Sequence, residues 1–412
     1  MLLVNRALQA TTQHWRISPY NFCAEVRSQM TLPERVQLCD LTLREGRQLE
    51  GVSLTRDEVL LLAEKLVEAG VTMLQVHHDD PQEMLQIKKR YPQVTIEALV
   101  HPTAVLNPAL CRQEVDMNVD HGADIVDMAF SFSDNQMCLF ESMAGARISR
   151  EEAVERAVGS VAYAKQKGST VACLIQDFMR IDLDLLKGVT RRMVDAGASI
   201  IRLDDITGQA VCPVYTYLVR EMKKALPDAR IALHTHNDIG MATASLYAGL
   251  EGGAEIIDAC VNGLGERAGI APLAEVAAVI QVWYGLDVGI KLEKMKALSE
   301  LVADITKWPM PPKMPCVGDQ AFSHLVEVHY CVPPDGFWAY MHWDPAIFGN
   351  RMKTMLGHYS GPWAIRSMAR ELGLTIPDDR VPKVLERVRS DIRWHKRKLQ
   401  PEEFRRIVAQ VS

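Results

Sequence analysis

The stretch IALHTHNDIG, Ile231 to Gly240, is an apolar run that closes on two histidines one residue apart, with Asn and Asp directly after them. Alternate residues of a β-strand share a face, so a strand here sends His234 and His236 to one side and Thr235 to the other. Two imidazoles placed that way can share one metal ion. They can equally be two hydrogen-bonded polar residues at a strand end, and the flanking sequence has to decide between the two.

Working outward, runs rich in Val, Ile and Leu alternate with amphipathic segments, the pattern of repeated βα units around a parallel sheet. Eight strands are expected: Val36 to Leu41, Thr72 to His77, Val94 to Val100, Asp124 to Phe130, Ser169 to Ile175, Ser199 to Asp204, Arg230 to His236 and Glu255 to Val261. Helix-like segments lie between them. In TRDEVLLLAEKLVEAG, for example, apolar residues recur at three and four spacing and Gly70 marks the C-terminal stop. The fold class is therefore α/β, a closed (β/α)8 TIM barrel over residues 35–285. An open doubly wound sheet would leave unexplained why no ninth strand appears and why no GxGxxG follows the first strand. Residues 1–34 read as an N-terminal arm and 286–412 as an appended, mostly helical region, reached through the Pro-rich KWPMPPKMP.

Composition bounds the function. The 412 residues are 48% hydrophobic with a net charge of −6 and both signs interspersed, which gives no nucleic-acid footprint and points to a small substrate. Nine scattered cysteines without a CxxC pair and no secretory signal fit reduced thiols in the cytoplasm. No apolar run reaches membrane-spanning length.

In such a barrel chemistry sits at the C-terminal strand ends, where strand 7 presents its histidines. Closure brings strand 1 beside strand 8 and so places TLREGRQ within reach of them. An oxygen of Glu45 would complete a two-nitrogen, one-carboxylate site for a divalent ion, with positions left open for substrate or water. The bland reading of Glu45 is a surface salt bridge with Arg44. Loop 8, VNGLGERAGIAPLAEV, carries three glycines that allow close backbone approach, and a helix starting near Ala271-Pro272 offers free N–H groups to an anion.

Jointly, DLTLREGRQ, LHTHNDIGMATA and NGLGERAG resemble the signatures of the metal-dependent barrel superfamily of isopropylmalate, homocitrate and citramalate synthases and hydroxymethylglutaryl-CoA lyases. TLREG looks most like the homocitrate synthase branch, and the resemblance continues through CVGDQAFSHLVEVH, Tyr340, Asp344-Pro345 and LGHYSG, covering roughly residues 33–410. It implies a transferase that condenses acetyl-CoA with a 2-oxo acid on a divalent metal (Zn, Mn or Mg), releasing CoA. Glu45, His234 and His236 would hold the ion, Arg44 would face the oxygen bound to it, and Gln48 would help seat the substrate. His329 and Tyr340 match the pair that these synthases bring from the appended region of a neighbouring subunit, which implies a homodimer. His329 is then the candidate for removing a proton from the acetyl methyl, or for relaying it.

Four departures from that pattern stand out. Ile270 occupies the place of an Asn after GERAG, close to the metal. Strand 2 ends in LQVHHDD, with Gln75 where a Glu-containing segment is usual and the pair His77-His78 near the mouth. Asp205-Ile206 replaces Asp-Thr, although Thr207 follows as a substrate-binding candidate. On strand 5, Ala172 and Leu174 replace the Arg and Ser that homocitrate synthases turn toward the far carboxylate of 2-oxoglutarate. A second carboxylate would lie unpaired on such a wall, which argues for another oxo acid. His77, His78 and His101 form a candidate pocket for a different substituent, such as a phosphonate or a second acid group reached from another side. Residues after LGHYSG are too few and too helical for the regulatory domain of long isopropylmalate synthases. The rival readings are a carbon–carbon lyase, whose loop-8 cysteine is here Glu266-Arg267, and a barrel that binds a metabolite without turnover.

Overall fold

The computed structural model describes residues 10–77, 79–101, 107–144, 148–330 and 338–411. The chain forms two compact units, one of residues 20–310 and one joining residues 10–19 to 311–411 among those described.

In the first unit eight parallel strands close into a barrel in sequence order. They are β1 Gln37–Asp40, β2 Met73–Val76, β3 Thr95–Val100, β4 Ile125–Ser131, β5 Thr170–Gln176, β6 Ile200–Asp205, β7 Arg230–Thr235 and β8 Ile256–Ala259. All eight lie where the apolar runs place them, within two residues at each end. Closure is made by β1 on β8, with Gln37 opposite Ile256 and Asp40 opposite Ala259. Strands buried on both faces need little alternation, which is why β2 and β4 are apolar almost throughout.

The surrounding helices are α1 Arg56–Glu68, α2 Pro81–Arg90, α3 Pro108–Asp120, α4 Arg150–Gln166, α5 Leu183–Asp195, α6 Cys212–Ala225, α7 Ala242–Glu251 and α8 Leu273–Val279, with an additional helix Asp134–Ala144 before α4. Helix α1 shows how the sequence sets such an element. Thr55 and Glu58 close a capping box at its start, and Val59, Leu60, Leu62, Ala63 and Leu66 bury one stripe. Gly70 then turns at φ +94°, and a Cβ there would stand 2.0 Å from the Gly289 carbonyl oxygen, so no other residue fits. Helix α9 Met295–Thr306 belongs to the same unit: it buries Met295, Leu298 and Val302, and the Asn262 side chain donates to the Ser299 carbonyl at 2.9 Å.

The second unit is mostly helical. Helices α10 Pro362–Glu371, α11 Val381–His395 and α12 Pro401–Val411 pack around Ile365, Val384, Val388, Phe404 and Ile407. A two-residue parallel ladder joins β9 Ser323–His324 to β10 Lys353–Thr354. Residues 10–19 belong here because Arg16 donates to the His342 carbonyl and Asp344 to that of His14, each at 2.8 Å. No helix among the described residues is long and apolar enough to cross a membrane. The eight described cysteines are free thiols.

Candidate active site

The C-terminal ends of the strands surround a cavity of about 410 Å³. Its wall follows the two-residue period of the strands: Leu99 and His101 from β3 and its end, Leu174 and Gln176 from β5, Asp204 and Ile206 from β6, and His234 and His236 from β7. Arg44, Glu45 and Gln48 enter from the loop after β1, His77 and Asp79 from that after β2, and Glu266 and Arg267 from that after β8.

Glu45, His234 and His236 are all buried, and each offers one ligand atom within 4.8 Å of the other two. Ligand atoms about 2.1 Å from one tetrahedral ion stand about 3.4 Å apart, so pairs that already lie within 4.8 Å close by at most about 1.4 Å to share it. The roles of the individual atoms follow from their neighbours. Glu45 gives Oε2 to the Arg44 guanidinium and keeps Oε1 facing His236 Nε2 at 3.9 Å. His234 holds Asp258 through Nδ1 at 3.1 Å, which leaves its Nε2 for a ligand bond. His236 Nδ1 is buried without a hydrogen-bond partner. The donor set thus fits a divalent ion. The loop after β8 is shaped around it as well: Gly265 sits at φ +141°, where a Cβ would stand 2.9 Å from Glu45 Cγ.

Electrostatics keep two of the three groups ready. Burial opposes ionisation of Glu45, but Arg44 and the two histidines outweigh it and hold its pKa below the ordinary value. His236 is pushed down to about 3 by burial and by His234. His234 is the exception. Burial disfavours its cation, yet Asp204 and Asp258 outweigh burial and raise its pKa, so a proton competes for the position a metal would take.

Beneath the triad lies a charged layer that the sequence reading did not assign. Arg202, fully buried on β6, pairs with Glu97 of β3 at 2.7 Å, with Asp127 of β4, and with Asp258 of β8 at 3.0 Å. Gln75 links this layer to the rim: its amide oxygen accepts from Arg44 Nε at 2.6 Å and its amide nitrogen donates to Glu97. Arg44 is therefore held in place from two sides, by Glu45 and by Gln75. Asp204 reaches the cavity, is nearly buried, and keeps Oδ1 without a partner; burial lifts its pKa to about 7. The signal for this layer was a charge in the middle of an apolar strand, as in TIEALV, IVDMAF and IIRLDD. Such a charge has to find a partner across the barrel.

The other expected residues fall as follows. Gln48 lines the cavity, 3.4 Å from Arg44 Nη1. His101 lines it too, its backbone N–H bonded to Glu114. Thr207 is not among the lining residues, where Ile206 stands instead, and its buried hydroxyl has no hydrogen-bond partner. His77 lines the mouth and pairs with Asp79 at 3.0 Å, whereas His78 lies outside the described residues. Ile270, which stands where the resemblance puts an Asn, is buried, and its backbone bridges that of His236. Leu174 lines the cavity and packs with Leu99 and Ala129 into an apolar wall, while Ala172 is buried and not among the lining residues. The N–H of Leu273, first residue of α8, is taken by the Cys260 carbonyl at 2.9 Å and is not free for an anion. His329 and Tyr340 belong to the second unit, where their rings stack with centroids 3.9 Å apart.

Residues 35–302 match the model of the HMGL-like family. The chain belongs to the HMGL-like family. Among curated relatives of this HMGL-like protein, the homocitrate synthase of Saccharolobus islandicus is 31% identical over 358 residues, 87% of this chain and 76% of that one. The homocitrate synthase AksA of Methanothermobacter thermautotrophicus is 31% identical over 405 residues, 96% of this chain and 97% of that one. Among solved structures, the hydroxymethylglutaryl-CoA lyase of Pseudomonas aeruginosa superposes with a TM-score of 0.57 at 20% identity, covering 68% of this chain and 96% of that one. The carboxyl transferase domain of Rhizobium etli pyruvate carboxylase gives 0.52 at 18%, over 68% and 49%. At those identities the likeness is one of fold.

Proposed function

We propose that this HMGL-like protein is an acyltransferase that condenses acetyl-CoA with a 2-oxo acid and releases CoA. What carries the reading is the buried Glu45, His234 and His236 cluster at the barrel mouth, in a chain 31% identical to a homocitrate synthase along 96% of its length.

A divalent ion held by these three residues supplies Lewis-acid polarisation of a ketone. Arg44, fixed by Glu45 and Gln75, offsets the charge that grows on the ketone oxygen as the new bond forms. Gln48, beside it, seats the oxo acid carboxylate, and His101 is assigned to the substrate's other end; Thr207, which does not line the cavity, is left out of that role. The acetyl methyl gives its proton to His329, with Tyr340 against the imidazole, and the carbanionic carbon attacks the ketone. Hydrolysis of the thioester then makes the sequence irreversible.

On this reading residues 35–285 are the catalytic barrel, and 286–412 supply dimer contacts together with His329 and Tyr340 for the neighbouring subunit's site. Leu325, Val326, Val328 and Tyr340 are exposed apolar side chains around His329, a surface suited to being covered by a second copy. The enzyme works in the cytoplasm, in keeping with its free thiols.

The test is CoA release from acetyl-CoA with about a dozen 2-oxo acids, phosphonopyruvate among them, with Zn, Mn or Mg added in turn. Release that needs both an oxo acid and a metal is expected. No release with any pairing, or cleavage of a hydroxyacyl-CoA instead, would overturn the proposal.

A further inference from the structure

In the second unit, His329 closes a single helical turn, Glu327–His329, that is pinned from behind. The Glu327 carboxylate accepts from the backbone N–H groups of Gly361, Trp363 and Ala364 at 2.8, 2.6 and 3.2 Å, at the start of α10. Five residues upstream, His324 sits on β9, its own carbonyl bonded by the Tyr330 hydroxyl. The two imidazoles meet edge to face, Nδ1 of one 3.0 Å from Nδ1 of the other.

Two facing Nδ1 atoms at hydrogen-bond distance hold one proton between them. In a neutral pair, the ring that donates this bridging proton has a bare Nε2, and the accepting ring carries its own proton on Nε2. A base must present a bare nitrogen to its substrate. His324 is half-buried, which disfavours its cation and keeps it neutral with a lone pair to offer.

We infer that His324 is a positioning residue for His329: it accepts the His329 Nδ1 proton, and so fixes the tautomer in which His329 Nε2 is bare and able to take a proton from substrate. When Nε2 accepts that proton, His329 becomes an imidazolium whose Nδ1–H still points at a neutral acceptor. The positive charge is thereby stabilised without a carboxylate. Tyr340, its ring stacked on that of His329, restrains the ring plane. This inference rests on the proton-accepting role proposed above for His329.

Two measurements on the full-length metal-loaded enzyme test it. With 15N-labelled histidine, the His329 signals should show a protonated Nδ1 and a bare Nε2, with coupling across the N–H···N bridge. In turnover, His324→Leu should lower kcat by about a hundredfold with KM for the oxo acid unchanged. His324→Asn, whose amide oxygen reaches the place of Nδ1, should recover to within about tenfold of wild type. A folded His324→Leu enzyme with kcat within twofold of wild type overturns the inference. So does His324→Asn as slow as His324→Leu, or a wild-type spectrum with a bare His329 Nδ1. If both variants fail to fold, the wild-type spectrum decides alone. Absence of CoA release by the wild type would instead sink the functional reading, and the bridge signal would still judge the histidine pair.

Discussion

Replacing Asp258 tests whether the layer beneath the cavity tunes the rim. Its carboxylate holds His234 Nδ1 at 3.1 Å and at the same time faces Arg202 at 3.0 Å, so it ties the would-be ligand to the barrel interior. Removing an outer partner of this kind typically weakens metal binding about 10- to 100-fold, or about 1.4–2.7 kcal/mol. Asp258→Asn keeps an oxygen that can accept from Nδ1–H but loses its charge, so about tenfold is expected. Asp258→Leu loses both and should fall near a hundredfold. Stability should respond differently. Arg202 retains Glu97 and Asp127, whose pKa values are already raised by burial and, after the opposing pull of Arg202, by neighbouring carboxylates including Asp258. Neutralising Asp258 relieves part of that repulsion, but burial of Asp258 is outweighed by Arg202 and His234, which hold its pKa below the ordinary value, so the attraction is lost as well and the metal-free Asn variant should melt below wild type, by less than Arg202→Leu does. Arg202→Leu, by contrast, strands three buried acids and should cost about 3–5 kcal/mol. The assay is competition for Zn against a chromophoric chelator, with melting of the metal-free protein alongside. Zn affinity of both Asp258 variants within twofold of wild type would refute the argument.

Three further outcomes are expected. Because the His234 pKa is raised above 6.5 while that of His236 lies near 3 and that of Glu45 is lowered, one proton competes with the metal. Affinity should rise about tenfold per pH unit below the His234 pKa and level off above it, with more than half a proton released on binding at pH 6.5 by calorimetry in buffers of different ionisation enthalpy; a flat profile counts against the assignment. Asp40 is buried with Oδ2 unpartnered and its pKa is lifted from 3.8 to about 7 by burial, so its contribution is fully present below pH 3.8 and is lost as pH rises through 7. Asp40→Asn should therefore stabilise the protein at pH 8 by on the order of 1–4 kcal/mol and by roughly a third of that at pH 5, as urea unfolding at the two pH values would show. Finally, Leu174→Arg puts a cation on the apolar wall of Leu99, Ala129 and Leu174, and should raise kcat/KM for 2-oxoglutarate relative to pyruvate by about tenfold or more. An unchanged ratio would mean that the far end of the substrate does not lie on that wall.

The barrel was legible because its signal is local. Each strand is a short β-branched run bounded by turn residues, and β7 carries its histidines at the strand's own period, so place and direction came together. Glu45 was readable only through topology, since closure of β1 on β8 brings it to His236 from nearly two hundred residues away. The charged layer was not read. Glu97, Asp127, Arg202 and Asp258 sit on four different strands and are compatible only through one another. A single sequence shows each as an anomaly in an apolar run and does not show the pairing. The His324 contact escaped for a related reason: an i, i+5 spacing has no fixed meaning outside a regular element, and a strand end followed by one tight turn is what folds the two rings together.

The same layer explains why the site should favour a doubly charged ion. Among the described residues, Glu45, Asp204, Asp258, Glu97 and Asp127 are five buried carboxylates around the site, faced by two buried guanidiniums, Arg44 and Arg202. Burial is what raises two of them: Glu97 and Asp204 each stand at about 7, because Arg202 beside Glu97, and His234 and Arg44 beside Asp204, do not fully offset the loss of water around the carboxylate. A barrel built only for stability would gain by replacing such acids with apolar side chains. Their cost is offset when two positive charges arrive at Glu45, His234 and His236, directly above Asp258 and beside Asp204. On the proposed reading, an ion held there would complete that charge balance, and the strongest local charge in the cavity would lie beside Arg44, the residue proposed to face the developing oxyanion.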